Sequence, residues 1–330
     1  MPPEGGYWVL PDEPSGSPRH PHRVGRLVAI MSAAAVARTS VGIHQVLIAT
    51  DFSHQSELVI DYGLQYARLF GAQAEVAYVL PMEEYVLAGG DGLQAGRDSA
   101  RRDLHDLQTK LRRNSKYDDN TQVRVTLLEG PVADKLLECA RYDHADLVVV
   151  GTHGRGSFGK VFLGSVAENV FRHSCAPVLT IGPNLKPGHK AVEFRHILAP
   201  CDLTARSHPA VEFATQLAEA HHSWLKVLHV IERPTEGTKL GPERLRSGIR
   251  ENLAEIVGCE GKRVDIRYRV ESGRVASSIL DTAAELDADL IVLGVRPSSG
   301  VLDRFMWPIA YEVVREANCP VLTMRGRRAA

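Results

Sequence analysis

Residues 145–165 read Ala-Asp-Leu-Val-Val-Val-Gly-Thr-His-Gly-Arg-Gly-Ser-Phe-Gly-Lys-Val-Phe-Leu-Gly-Ser. An uninterrupted apolar run, Leu147–Val150, ends on a glycine-rich turn and then on Gly164-Ser165 with a helical pattern behind it. Such a run marks a strand buried on both faces, as in a parallel sheet. The same opening recurs 143 positions later as Ala288-Asp-Leu-Ile-Val-Leu-Gly294, and the chain on either side recurs with it. Glu129-Gly130 matches Ser272-Gly273, and Pro177-Val-Leu-Thr180 matches Pro320-Val-Leu-Thr323, at the same offset. Upstream the offset is 151: His44–Asp51 matches His196–Asp202 from its C-terminal Asp backwards, and Ala74–Leu80 matches Leu225–Ile231. The chain is a tandem duplication. Its first copy is eight residues longer, and the extra length falls in or around Gly89–Arg97.

Within each copy, apolar runs alternate with helical periods. In the first copy the strands are expected at 46–50, 74–80, 122–128, 146–150 and 178–181. Leu58, Tyr62, Tyr66 and Leu69 share one helical face; so do Leu104, Leu107 and Leu111, and again Val132, Leu136, Leu137 and Ala140. This alternation predicts an α/β fold, with two tandem doubly wound domains built on mainly parallel sheets. In such folds ligands bind beyond the carboxyl ends of the strands, where the strand order reverses. The matched Pro-Val-Leu-Thr runs are expected to pair with each other within the chain, covering two apolar edges.

The remaining features bound the function. The 330 residues carry 39 Lys+Arg against 40 Asp+Glu, and this neutral balance argues against a nucleic-acid or membrane-surface binder. No apolar run approaches the roughly 20 residues of a spanning helix. Cys139, Cys175, Cys201, Cys259 and Cys319 form no C-x-x-C pair, which fits reduced thiols in a cytoplasmic protein. Residues 1–40 hold Pro2, Pro3, Pro11, Pro14, Pro18 and Pro21 and read as a flexible Pro/Gly-rich tail. Arg19, Arg23 and Arg26 before Leu27–Ala37 resemble a secretory signal, but the stretch follows Asp12 and Glu13 and is rich in Ala. It reads as a short helix or a disordered extension. The expected domains are therefore 41–182 and 195–326, joined by a linker over 183–194.

Three spacings overlap after Val150. Gly154-x-Gly156-x-x-Gly159 is a literal dinucleotide fingerprint, but it follows the fourth strand where the first βα turn is required. Gly154-x4-Gly159-Lys160 misses the phosphate loop, because Val161 stands where a Mg²⁺-binding Ser/Thr is needed. The third, Gly151-x2-Gly154-x9-Gly164-Ser165, makes physical sense as a whole. Its glycines let the backbone approach a ligand, and Ser165 with Glu168 reads as a capping box. The N–H groups of Ser165, Val166 and Ala167 then make an anion site with the helix dipole. Taken singly, these residues have plainer readings: Asp51 as a helix cap, His153 as an exposed loop residue, the glycines as packing devices.

Asp51 at the end of the first strand, this glycine pattern and the closing Pro-Val-Leu-Thr strands resemble the universal stress proteins of the ATP-binding kind. The resemblance covers about 44–182 and 195–325. It implies an adenine-nucleotide fold with strand order 3-2-1-4-5 in each domain, an intramolecular pseudo-dimer, and ATP, alone or with Mg²⁺, as ligand. Asp51, with Thr50 beside it, matches the carboxylate near the adenosine, and Val79 matches the backbone contact for adenine. Gly151, Gly154, Gly164, Ser165 and Val166 match the ribose- and phosphate-contacting positions, with His153 and Arg155 inside the loop. A regulatory or stress-survival role follows, with a protein partner or a second copy of the chain alongside the nucleotide.

The second copy departs from this pattern. Gly154 becomes Pro297, Gly156 becomes Ser299, Gly159 becomes Leu302, Gly164 becomes Trp307 and Ser165 becomes Pro308. Two prolines delete two backbone donors, so nucleotide is expected in the first copy only. Two other classes stay open: a slow ATPase or other nucleotide-using enzyme on the same fold, and a nucleotide-free interaction scaffold. The sequence contains neither a His-x-Gly-His nor a Ser-Gly-Gly-x-Asp-Ser motif, and shows no readable nucleophile–base pair.

Overall fold

The structure, a computed structural model, describes residues 8–9, 42–83, 89–113, 122–152, 163–185, 194–205, 207–232, 242–258, 264–295 and 308–325. In chain order the elements of the first half are β1 (Trp8–Val9), β2 (Gln45–Thr50), α1 (His54–Phe70), β3 (Gln73–Leu80), α2 (Gly89–Arg113), β4 (Val123–Glu129), α3 (Val132–Tyr142), β5 (Leu147–Gly151), α4 (Ser165–His173) and β6 (Val178–Ile181). The second half holds β7 (His196–Pro200), α5 (His208–His221), β8 (Trp224–Ile231), α6 (Pro242–Val257), β9 (Asp265–Ser272), α7 (Val275–Leu286), β10 (Leu290–Val295), α8 (Pro308–Glu316) and β11 (Val321–Arg325).

All the strands form one sheet, ordered β1-β4-β3-β2-β5-β6-β11-β10-β7-β8-β9. Counted from β2, the first half runs 3-2-1-4-5, and the second half is its mirror along the sheet. From β2 onward, neighbours within each half are parallel. At the seam β6 and β11 are antiparallel, with Thr180, Leu179 and Val178 opposite Val321, Leu322 and Thr323. Leu179 and Val321 are fully buried there, so each half covers the apolar edge of the other. One apolar layer gathers α1, α2, α5 and α6 on one face of the sheet, and a second gathers α3, α4, α7 and α8 on the other. Both layers run across the seam.

Local chemistry explains the element ends. Ser53 caps α1 by accepting from the Ser56 N–H, and Gly71, at φ 65°, closes it. The Oδ2 of Asp146 accepts from the N–H groups of His44 and Gln45 at 2.7 and 3.0 Å, holding the start of β2 against the start of β5. Asp289 does the same for Arg195 and His196 at 2.8 Å each. The extra length of the first copy lies in helix: α2 has 25 residues against 16 in α6, and its first turns are tied to β4 by a bidentate Arg97–Glu129 pair at 2.8 and 2.7 Å.

One expectation about the tail is altered. Residues 8–9 form β1, antiparallel to Leu127 and Thr126 of β4. The reason lies in the edge it covers. The edge strand of the second half, β9, carries Asp265, Arg267, Arg269 and Glu271, charges that discourage strand addition. In β4 the end that β1 covers, Thr126–Leu128, is buried and carries no charge.

Candidate functional site

In the first half the strand order reverses at β2, between β3 and β5, and those of the expected residues that are described lie at or near the carboxyl ends of these strands and the start of α4. Asp51 follows β2 directly. Its Oδ1 accepts from the Ser53 N–H at 3.0 Å, which folds the chain back at once. Phe52 between them has φ 58°, a left-handed conformation that costs a non-glycine residue about 1–2 kcal/mol. Two contacts hold it there. Its N–H donates to Thr50 Oγ1 at 3.2 Å, and its ring lies 4.6 Å from that of Tyr78. Thr50 Oγ1 donates on to Ser56 Oγ at 3.1 Å, and Ser56 donates to the Ser53 carbonyl at 2.8 Å. Thr50 is thus buried in service of the turn that presents Asp51.

Val79 lies in β3 with its side chain in the core. Thr50 is opposite Tyr78, so Val79 and Leu80 extend past the end of β2 toward the crevice. On the other side, Gly151 closes β5 opposite Ile181. Thr152 is held by Ile181, and the Gly164 N–H donates to the Thr152 carbonyl at 2.7 Å. That bond closes the neck of the loop between them. A Cβ on Gly164 would stand 3.1 Å from the same carbonyl oxygen, so glycine is what lets the neck close. His153, Gly154 and Arg155 lie outside the described residues.

The expected capping box does not form. Gly164 is the N-cap of α4, with φ −57°, ψ 142° and no side-chain cap, and Ser165 is the first helical residue. The close neck selects the residue without a Cβ as the cap, which moves the helix start one position earlier than the Ser-x-x-Glu pattern suggests. Glu168 pairs with Arg172 at 2.7 Å instead. The backbone reading survives this change. Ser165, Val166 and Ala167 occupy the first turn, where N–H groups have no intrahelical acceptor and the helix dipole favours an anion. Val166 packs its side chain on the core, so what it offers the crevice is its backbone.

The second half repeats the turn and changes the rest. Leu203, the counterpart of Phe52, has φ 61°. Asp202 Oδ1 accepts from the N–H and Oγ1 of Thr204 at 3.0 and 2.7 Å. Cys201 Sγ lies 3.2 Å from Ser207 Oγ, which donates to the Thr204 carbonyl, as Ser56 does to Ser53. Burial pushes the Cys201 thiol above its ordinary pKa. Where Ser165 opens α4, Pro308 opens α8.

Two positioning features go beyond the sequence expectations. The Asp146 and Asp289 clamps had a signal, since both follow Ala in the repeated Ala-Asp-Leu. The other had none: the Leu163 N–H donates to Tyr311 Oη, across 148 positions, at 3.0 Å. The neck of the first-half loop is thereby tied to α8 of the second half.

Comparison with known proteins agrees with this architecture. The model of the universal stress protein family matches residues 42–182 and 193–325. The chain belongs to the universal stress protein family. A universal stress protein of Mycolicibacterium smegmatis is 24% identical over 292 residues, covering 86% of this chain and 97% of its own. One of Thermus aquaticus is 42% identical over 138 residues, 40% of this chain and 99% of its own. Among solved structures, a universal stress protein from Archaeoglobus fulgidus superposes with a TM-score of 0.68 at 21% identity, over 86% of this chain and 97% of that one. That likeness concerns the fold; the duplicated, seam-paired universal stress architecture extends over nearly the whole chain. No helix among the described residues is long and apolar enough to cross a membrane.

Proposed function

We propose that this universal stress protein binds ATP in its first half only and acts as a regulatory, nucleotide-responsive protein rather than a turnover enzyme. The single observation behind it is the convergence at one switch point of Asp51, the overhanging end of β3 and the donor-bearing first turn of α4. A carboxylate suits sugar hydroxyls, and a helix N-terminus behind a glycine neck suits phosphate. Mg²⁺, where present, is carried by the phosphates and water. The potential metal-ligand cluster found among the described residues, Glu75, Cys139 and Asp143, already has a cation in Arg124. The reading takes the functional units as 41–182 and 195–326, the linker as 183–194 and the setting as the cytoplasm, where buried thiols such as Cys139, Cys201 and Cys319 stay reduced. A protein partner or a second copy of the chain reads the bound state.

The test is equilibrium binding of ATP to the full chain and to its Gly154→Pro and Ser165→Pro variants, with ADP release followed over hours. The expected result is one ATP per chain, weakened about tenfold or more by either proline, each of which deletes one N–H donor to an anion. Multiple turnover would establish the enzyme reading. No ATP uptake by the unsubstituted chain would leave the scaffold reading.

A further inference from the structure

The amino ends of the first-half strands open on a cavity of about 550 Å³, within the range of small-molecule sites. It lies where β2, β5 and β6 begin, beside the last turns of α3 and α4. Its far wall comes from the second half, with Phe213 and Gln216 of α5 and Met324 of β11, so the cavity exists only because the halves are joined. Ile43, Leu137 and Pro177 continue the apolar lining. The rim carries Arg141, His144, His173 and the exposed thiol of Cys175. Among the described residues no carboxylate pairs with Arg141. Two features that would repel an anion are already satisfied within the fold. A helix C-terminus presents free carbonyls, but here the chain turns at His144, φ 51°, and the carbonyls of Cys139, Ala140 and Arg141 accept from the N–H groups of Asp143, Ala145 and His144. Asp146, the one carboxylate among the described lining residues, commits its Oδ2 to the N–H groups of His44 and Gln45. The duplication supplies a control. The same place in the second half holds a cavity of about 190 Å³, where Ala284, Asp287, Glu316 and Asn318 replace Arg141, His144, His173 and Cys175. One end cavity is therefore wide with a basic rim, and its counterpart narrow with an acidic one. The residues next in sequence to the wide cavity's described lining, 40–41 and 326–330, add two arginines and no carboxylate side chain.

We infer that the wide cavity binds a small amphipathic carboxylate, an acyl chain or aromatic body ending in one acid group. The apolar body is buried against Leu137, Phe213 and Met324, and the acid group stays at the rim, where the planar Arg141 guanidinium suits a carboxylate. This site stands apart from the nucleotide crevice, at the opposite ends of the same strands.

The experiment is calorimetric titration of the full chain with octanoate and with octanol, an uncharged probe of the same length, joined to alkylation of Cys175 followed by mass spectrometry. One octanoate per chain is expected, bound about threefold or more tighter than octanol, the worth of an exposed charge pair. Octanoate at about ten times its Kd should slow alkylation of Cys175 about fivefold or more, because little of the site is left open. Arg141→Glu should erase the preference for octanoate over octanol. Gln216→Trp, which fills the cavity from α5, should weaken both probes about tenfold or more. Circular dichroism checks that both variants fold, and the octanol comparison and the Cys175 protection are measured on the unsubstituted chain. Absence of octanoate uptake, octanol bound as tightly as octanoate, Cys175 alkylated at an undiminished rate under saturating octanoate, or a preference that survives Arg141→Glu overturns the inference.

Discussion

Tyr311→Phe removes one oxygen and tests whether the second half holds the loop of the first. The Leu163 residue is 4% exposed, and its N–H donates to Tyr311 Oη at 3.0 Å. Phenylalanine keeps the ring against its layer and leaves α8 unchanged in helix propensity. What is lost is one hydrogen bond to a shielded backbone donor, about 1–2 kcal/mol. The Gly164–Thr152 bond remains, so the loss is local to the neck. An opening free energy lowered by that amount speeds amide exchange at Leu163 and Gly164 about 5–30-fold. The same loosening misplaces the first turn of α4, and ATP affinity should fall about fivefold or more. Hydrogen exchange with residue resolution, read on the variant and the parent chain, measures the first effect directly. Exchange at Leu163 faster by less than about twofold, or acceleration spread evenly over both halves, would refute the coupling, since a local bond of this size cannot produce either.

Two further predictions concern stability. His221 stands where the repeat has Phe70, its Nε2 is buried without a hydrogen-bond partner among the described residues, and burial, then neighbouring His222, holds its pKa below the ordinary value. The unfolded chain therefore binds more protons than the folded one as pH falls below about 6.5, and stability is undiminished above that pH and lost progressively below it. In thermal melts at about pH 7.5 and 5.5, His221→Phe should flatten the decline; equal slopes in variant and parent would remove His221 as its cause. Arg124 lies 2.6 Å from Glu75, which is fully buried, and 2.8 Å from Asp143. Arg124→Met leaves two shielded carboxylates facing one another and should cost about 3 kcal/mol, the lower end for breaking a buried pair because the arginine is partly exposed. That is a fall in Tm of roughly 6–12 °C. Adding Glu75→Gln should restore part of it, and a loss under about 1 kcal/mol would mean that water already serves the pair.

The fold was legible because buried parallel strands must be nearly continuous apolar runs. Two sets of them at fixed offsets leave little freedom in topology. The seam followed from the same fact, since Val178–Thr180 and Val321–Thr323 are too apolar to be left at an edge. The turn after β2 was legible because its requirement is local: Asp51 closes it by accepting from the Ser53 N–H, a bond an Asp makes to its own backbone whatever surrounds it. Where the requirement depends on what a residue meets, the sequence was silent or misleading. Ser165 and Glu168 match a capping box, yet the Thr152 carbonyl, 3.1 Å from where a Cβ would stand, makes Gly164 the cap. Tyr311 differs from its counterpart Glu168, and nothing near either residue announces that its hydroxyl will meet Leu163.

That last contact also bears on why the halves have diverged as they have. The elements that hold the sheet together are duplicated without loss. Asp146 and Asp289 clamp the same strand ends, Ser56 and Ser207 close the same turns, and the closing strands share one seam. None of them involves the loop after the fourth strand of either copy. A second copy can therefore trade glycines for prolines there without weakening the framework, and its α8 is released to a different task. Pro308, Ile309 and Ala310 line a cavity at the strand ends of the second half while Tyr311, on the next position, accepts from the Leu163 N–H of the first half. One short helix thus touches both crevices. Tyr311 Oη accepts from the Leu163 N–H, so any displacement of the first turns of α8 reaches the neck before α4 through a single hydrogen bond.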